Sequence, residues 1–161
     1  MPSTARNLLA ATLLIFGISA PAQTRIIYSA TADPHADIAN AIKAATAQHK
    51  HIILDFGGNW CGDCQVLDIY FHRQPNLSLL EKNYVVVHVD IGHMDKNTDV
   101  AAKYDVPIKH GVPAMAVLDS HGRLLYSQKN KEGEAMARTD NPASVTEFLN
   151  RWKPRPAATH S

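Results

Sequence analysis

Both cysteines of the chain fall in one tetrapeptide, Cys61-Gly62-Asp63-Cys64. Thiols at this spacing hold two electrons as a dithiol or release them by closing a disulfide. The motif follows an apolar run, Ile52-Ile53-Leu54-Asp55-Phe56, and precedes a stretch with helical periodicity. A strand is therefore expected to deliver the cysteines onto the first turn of a helix. Unpaired N–H groups and the positive end of the dipole would stabilise a thiolate at Cys61 there, and the thiolate is the species that attacks disulfides. Cys64, one turn further in, is expected to be more buried and to act second. It would resolve the mixed disulfide that Cys61 makes with a substrate.

Other uses of the pair fit less well. A structural staple gains most by closing a long loop, and Cys61 and Cys64 enclose only two residues. Zinc asks for about four ligands, and there is no second cysteine pair. Haem attachment would need histidine at position 65, which is Gln65. Of the nine histidines, His72, His88, His93 and His110 could in principle cluster, and His93-Met94 hints at copper, but no spacing fixes a site. They are expected to be scattered over the surface. No metal site and no cofactor beyond the thiols is expected.

The elements that must position the motif can be read around it. A chain of 161 residues, 45% apolar and 19% charged, is long enough for one domain with a real core. A formal charge of +1 gives no strong field for nucleic acid or an anionic membrane. Leu8 to Ile18 is an apolar run behind Arg6, ending in Ser19-Ala20-Pro21-Ala22. It reads as a secretory signal over residues 1–22, cleaved after Ala22, and is shorter than the roughly 20 apolar residues of a membrane span. Residues 23–32 read as a lead-in, with a strand at Ile26-Ile27-Tyr28. The folded domain is expected over 33–153, and a flexible tail over 154–161.

Within the domain, Asp33-Pro34 signals a helix start. Ile38, Ala41, Ile42 and Ala45 continue that helix to about Lys50. Ile52–Phe56 is expected to be a central strand buried on both faces. The helix from Cys61 carries an apolar stripe of Val66, Leu67, Tyr70 and Phe71, with Pro75 marking its end. A short helix over Leu77–Asn83, a strand over Tyr84–Ile91 and a short helix over Thr98–Tyr104 follow. Val112–Leu118 and Arg123–Ser127 are expected to be antiparallel strands joined by the turn Asp119-Ser120-His121-Gly122. Gln128–Asp140 reads as a loop. Asn141-Pro142 opens a last helix carrying Val145, Phe148, Leu149 and Trp152. The sum is a βαβ crossover, a hairpin and a closing helix, an α/β fold whose mixed central sheet has helices on both faces.

These residues resemble the thioredoxin family. Asp55-Phe56-Gly57-Gly58-Asn59-Trp60-Cys61-Gly62-Asp63-Cys64 is similar to its active-site segment, and Gly111-Val112-Pro113-Ala114 to its cis-proline loop. The order of elements from Asp33 to Trp152 agrees. The resemblance implies a thioredoxin-like fold and a protein-disulfide reductase with Cys61, Cys64 and Asp55 as catalytic residues. Asp55 would lie beneath Cys64 and take its proton. A carboxyl ending an apolar strand would also have a raised pKa through desolvation. The family often places a lysine near this carboxylate, and counting back from Asp90 that place is Val86, so Asp55 is expected to lack a cationic neighbour.

Trp60, Gly62, Asp63, Val112 and Pro113 are expected to meet the substrate. Trp60 offers a flat apolar wall. Asp63 should oppose the Cys61 thiolate and push the couple toward the reducing end. A cis bond before Pro113 would present the Val112 backbone to an extended chain. Gly57 and Gly58 replace bulkier residues and would open the surface beside the site, or simply end the strand. Pro107 to His110 reads as an extra bulge near it. The expected partners are disulfide-containing client proteins and a membrane-embedded thiol electron donor, with the protein acting as a monomer in the periplasm or secreted. The alternatives are a disulfide oxidant or isomerase, and, outside that class, a thioredoxin-fold copper-binding chaperone or adaptor.

Overall fold

The computed structural model describes residues 25–128 and 142–155. The apolar run at Leu8–Ile18 and its cleavage point, the loop from 129 to 140, the Asn141 cap and the tail from 156 lie outside the described residues.

Helix α1 spans Pro34–Gln48, and Asp33 caps it by accepting hydrogen bonds from the N–H groups of His35 and Ala36. Strand β1 is His51–Gly57, helix α2 Gly62–Phe71, helix α3 Asn76–Asn83 and strand β2 Tyr84–Asp90. Helix α4 (Thr98–Lys103) leads to a 3₁₀ turn at Ile108–His110, where the bulge was expected. Strands β3 (Ala114–Leu118) and β4 (Leu124–Ser127) form the hairpin, and helix α5 (Pro142–Trp152) closes the chain.

The four strands are ordered β2-β1-β3-β4. β1 pairs in parallel with β2 and antiparallel with β3, and β3 pairs antiparallel with β4. The continuous apolar run of β1 has its cause in this topology: six of its seven residues are buried because both faces are covered. Ile52, Leu54 and Phe56 face α1 and α4, meeting Ile38, Ala41, Ala45, Val100 and Ala101. Ile53 faces the other way, toward Leu67, Phe71, Leu80, Phe148 and Leu149 of α2, α3 and α5. Strand alternation puts Asp55 on this second face, under α2.

Two expectations are corrected. No strand forms at Ile26–Tyr28. The side chain of Asn59 takes the place of a neighbouring strand there, accepting from the N–H groups of Ile27 (2.8 Å) and Tyr28 (3.0 Å) and donating to the Tyr28 carbonyl (2.7 Å). The stripe of α2 is rotated: Val66 faces solvent, and Asp68 is buried beside Cys64, Leu67 and Phe71. Asp68 is kept there by its ion pair with Arg25 (2.9 Å), and its Oδ1 lies 3.3 Å from His72 Nδ1.

Candidate active site

Cys61 is the N-cap of α2, and its Sγ accepts from the Cys64 N–H at 3.1 Å. The two cysteines are joined as a disulfide, their α-carbons 5.2 Å apart. Cys64 is the more enclosed, 1% exposed against 5% for Cys61. Gly57 ends β1, and the Gly58 carbonyl accepts from the Cys61 N–H at 3.0 Å. The strand thus hands the chain directly to the helix start. From the other side comes the loop before β3. The Val112–Pro113 bond is cis, and the Val112 carbonyl lies 3.5 Å from Cys61 Sγ.

Behind the disulfide, Asp55 is 2% exposed. Its Oδ2 accepts from the Tyr28 hydroxyl at 2.9 Å and lies 2.9 Å from His88 Nδ1. Its Oδ1 is buried with no hydrogen-bond partner among the described residues. Tyr28 packs in one cluster with Cys61 and Cys64. The carboxylate is therefore held on one oxygen, and the other is free for a proton.

His88 overturns the expectation that Asp55 lacks a cationic neighbour. It stands directly opposite Asp55 in the β1–β2 register. Val86, the position reached by counting from Asp90, is two residues short on the same face. Burial acts to lower the His88 pKa, but the hydrogen bond His88 makes to Asp55 and the charge of Asp55 outweigh burial and raise it above the ordinary histidine value. The Tyr28 phenol is pushed far above its usual range, by burial first and by Asp55 second. It stays protonated and remains a donor.

Gly57 and Gly58 do not open the surface. A Cβ at Gly57 would collide with the Tyr28 hydroxyl and stand 2.8 Å from Cys64 Sγ. A Cβ at Gly58 would stand 2.5 Å from the Trp60 Nε1. The glycines let an aromatic ring approach on each side.

On the rim, Trp60 is 49% exposed. Its ring stacks on His93 with centroids 5.4 Å apart, and its Nε1 donates to the Gly92 carbonyl at 2.6 Å. Gly62 and Asp63 are exposed on the first turn of α2, and Pro113 is buried. The four histidines named above go to different places: His72 to Asp68, His88 to Asp55, His93 to Trp60, and His110 to the exposed end of the 3₁₀ turn. Among the described residues no three His, Cys, Asp or Glu side chains converge as a metal set.

Tyr28, Asn59, His88 and Asp68 are the site residues that sequence reasoning missed. One signal for His88 was present, since Tyr84, Val86 and His88 alternate on one face of a strand adjacent to Asp55. Tyr28 and Asn59 meet across thirty-one positions and left no local trace.

Comparison with known proteins agrees with this architecture. Residues 33–120 match the family model described as thioredoxin-like. A crystal structure of a disulphide isomerase from Xylella fastidiosa superposes with a TM-score of 0.73 at 34% identity, covering 80% of this chain and 98% of that one. The C-terminal domain of DsbD from Neisseria meningitidis, in its oxidised form, shares the fold at a TM-score of 0.50 and 20% identity, over 76% of this chain and 97% of that one. In sequence, the thiol:disulfide interchange protein DsbD of Pseudomonas fluorescens is 24% identical over 118 residues, which is 73% of this chain and 18% of the relative. Thioredoxin of Ophiophagus hannah is 37% identical over 62 residues, 38% of this chain and 53% of the relative. The chain thus spans between about a fifth and about half of the length of these curated relatives. With the family match running over more than half of its residues and a Cys61–Cys64 disulfide at the head of α2, the chain belongs to the thioredoxin-like family of thiol–disulfide oxidoreductases.

Proposed function

We propose that the protein is an exported reductant of disulfides in other proteins. The observation that carries this reading is the unpartnered, buried Asp55 oxygen, whose carboxylate is bonded to the Tyr28 that packs on Cys61 and Cys64. A reductant must release each client by a resolving attack from the second cysteine, and that cysteine needs a proton acceptor when it attacks.

The cycle runs as follows. The Cys61 thiolate attacks one sulfur of a client disulfide, and the other client sulfur leaves as a thiolate. Cys64 gives its proton to Asp55 and attacks Cys61 Sγ. The second client sulfur leaves, two electrons have passed to the client, and the Cys61–Cys64 disulfide remains. A dithiol donor must then return two electrons. A membrane-embedded thiol protein fits that need in an oxidising compartment, and the apolar run at Leu8–Ile18 supports export to the periplasm or beyond. Trp60, Gly62, Asp63, Val112 and Pro113 form the client-facing rim, and the protein acts as a monomer.

A second reading, isomerisation, is favoured by one observation: the Xylella fastidiosa protein at 34% identity is described as a disulphide isomerase. The reduction potential and the activity separate the two. A reductant accelerates insulin reduction by dithiothreitol and equilibrates with glutathione near thioredoxin's value of about −270 mV; an isomerase lies nearer −180 mV, and an oxidant nearer −120 mV. Cys61→Ser abolishes the activity, and Cys64→Ser accumulates mixed disulfides with clients. An inactive wild type that binds Cu(I) through both thiols would overturn the reading in favour of a chaperone.

A further inference from the structure

We propose that His88 is the proton outlet of the redox centre: as Asp55 takes the proton of Cys64, the His88 imidazolium releases its Nε2 proton to solvent. This rests on the reading above in taking Cys64 as the resolving thiol and Asp55 as the acceptor of its proton.

The geometry supplies each part of the path. His88 Nδ1 and the Tyr28 hydroxyl share Asp55 Oδ2 at 2.9 Å each, and Oδ1 stands unpartnered. An ionised Asp55 only accepts hydrogen bonds, so His88 donates from Nδ1. That leaves Nε2 as the nitrogen that exchanges with water. The His88 side chain is 29% exposed against 3% for Asp55, so the pair reaches from the buried centre to the surface. His88 lies on β2, the outer strand of the sheet. Grooves of about 430 Å³ and 230 Å³ open on either side of it, the first bordered by Ser29 and Asp37 and the second by His72 and Glu81. The Tyr28 ring stands edge-on to the imidazole with centroids 5.6 Å apart, and fixes its plane.

The electrostatic argument is one of constant charge. Once the client sulfur has left as a thiolate, a proton kept on Asp55 Oδ1 beside an unchanged imidazolium would leave a net buried cation. Release from Nε2 cancels that charge while the Nδ1–H···Oδ2 bond survives. The balance for the step is Cys64 thiol, the Cys61–client mixed disulfide, Asp55 carboxylate and His88 imidazolium going to the Cys61–Cys64 disulfide, a departing client thiolate, Asp55 carboxylic acid, neutral His88 and one proton in water. Asp68 on α2 and Arg25 also act on His88, the first favouring its protonated form and the second opposing it. Histidine is the side chain whose proton exchange falls near neutrality, as an outlet requires.

Two measurements test the proposal. The first follows the His88 ring by NMR from pH 5 to 9 in the oxidised and dithiothreitol-reduced full-length protein. The midpoint is expected to differ between the two redox states and to lose that difference in Asp55→Asn. An identical midpoint in both states overturns the proposal. The second is the pH profile of insulin reduction for wild type, His88→Gln and His88→Ala. Both variants are expected to lose tenfold or more near pH 7, on the order of a modest general acid–base effect, and added imidazole should restore His88→Ala through the flanking grooves. A wild-type profile in both variants overturns the proposal. A wild type that reduces no disulfide would sink the proposed function instead, and the NMR arm would then decide His88 alone.

Discussion

The Tyr28 hydroxyl fills the space over the α-carbon of Gly57, so residue 57 cannot carry a side chain without displacing the tyrosine. The same missing Cβ leaves room for Cys64 Sγ. One glycine therefore admits both the donor that holds Asp55 and the sulfur of Cys64.

Gly57→Ala should consequently cost about 1–3 kcal/mol by overpacking and slow disulfide reduction. Gly62→Ala is the control, since a Cβ there meets nothing within 4 Å. Its folding stability should match or slightly exceed that of the wild type. Urea unfolding of the two variants checks both outcomes, and equal stabilities would contradict the packing argument.

Tyr28→Phe removes one buried donor from Asp55 Oδ2 while His88 stays on the same oxygen. The expected loss is about 1.5–3 kcal/mol, the range for a hydrogen bond to a charged group. Because burial and Asp55 hold the Tyr28 phenol far above its usual range, a spectroscopic titration to pH 11 should find Tyr28 still un-ionised. A tyrosinate signal at pH 10 that vanishes in Tyr28→Phe would show the ring to be accessible.

Asn59→Ala deletes three hydrogen bonds to the backbone of Ile27 and Tyr28. At about 1 kcal/mol each, the segment carrying Tyr28 should detach well before the domain unfolds. Hydrogen exchange at the Tyr28 amide reads this directly. It should accelerate by orders of magnitude, while amides of β1 keep their protection.

The His88–Asp55 pair makes stability pH-dependent in a stated direction. His88 has a raised pKa in the folded protein. Its contribution is fully present below the unfolded value of about 6.5, and is lost as pH rises through the folded value. The stability difference between wild type and His88→Gln should therefore be larger at pH 6 than at pH 9. Urea titrations at the two pH values test it, and a difference that grows toward pH 9 would reverse the sign of the argument.

Much of the fold was legible because it is written locally. Asp33-Pro34 starts α1, the run Ile52–Phe56 marks a strand covered on both faces, and Asp119 to Gly122 turns the hairpin. The cysteine pair marked the candidate site, and Asp55, six residues before Cys61, was singled out by family likeness. The partners of Asp55 were hidden for different reasons. His88 depends on a β1–β2 register that no single strand specifies, and an error of two residues kept the right face and missed the right side chain. Tyr28 depends on an amide thirty-one positions away that imitates a strand edge. The stripe of α2 misled because an ion-paired Asp68 is buried at a position where hydrophobicity points outward.

The span shared with the family begins at residue 33, yet the hydroxyl on Asp55 arrives from residue 28. Tyr28, latched by Asn59, thus plugs the space over Asp55 from ahead of the matched span. A version lacking the residues ahead of α1 would keep every strand and helix of the described residues while opening the Asp55 carboxyl to bulk water. The segment ahead of α1 therefore bears on acid–base chemistry as much as on architecture.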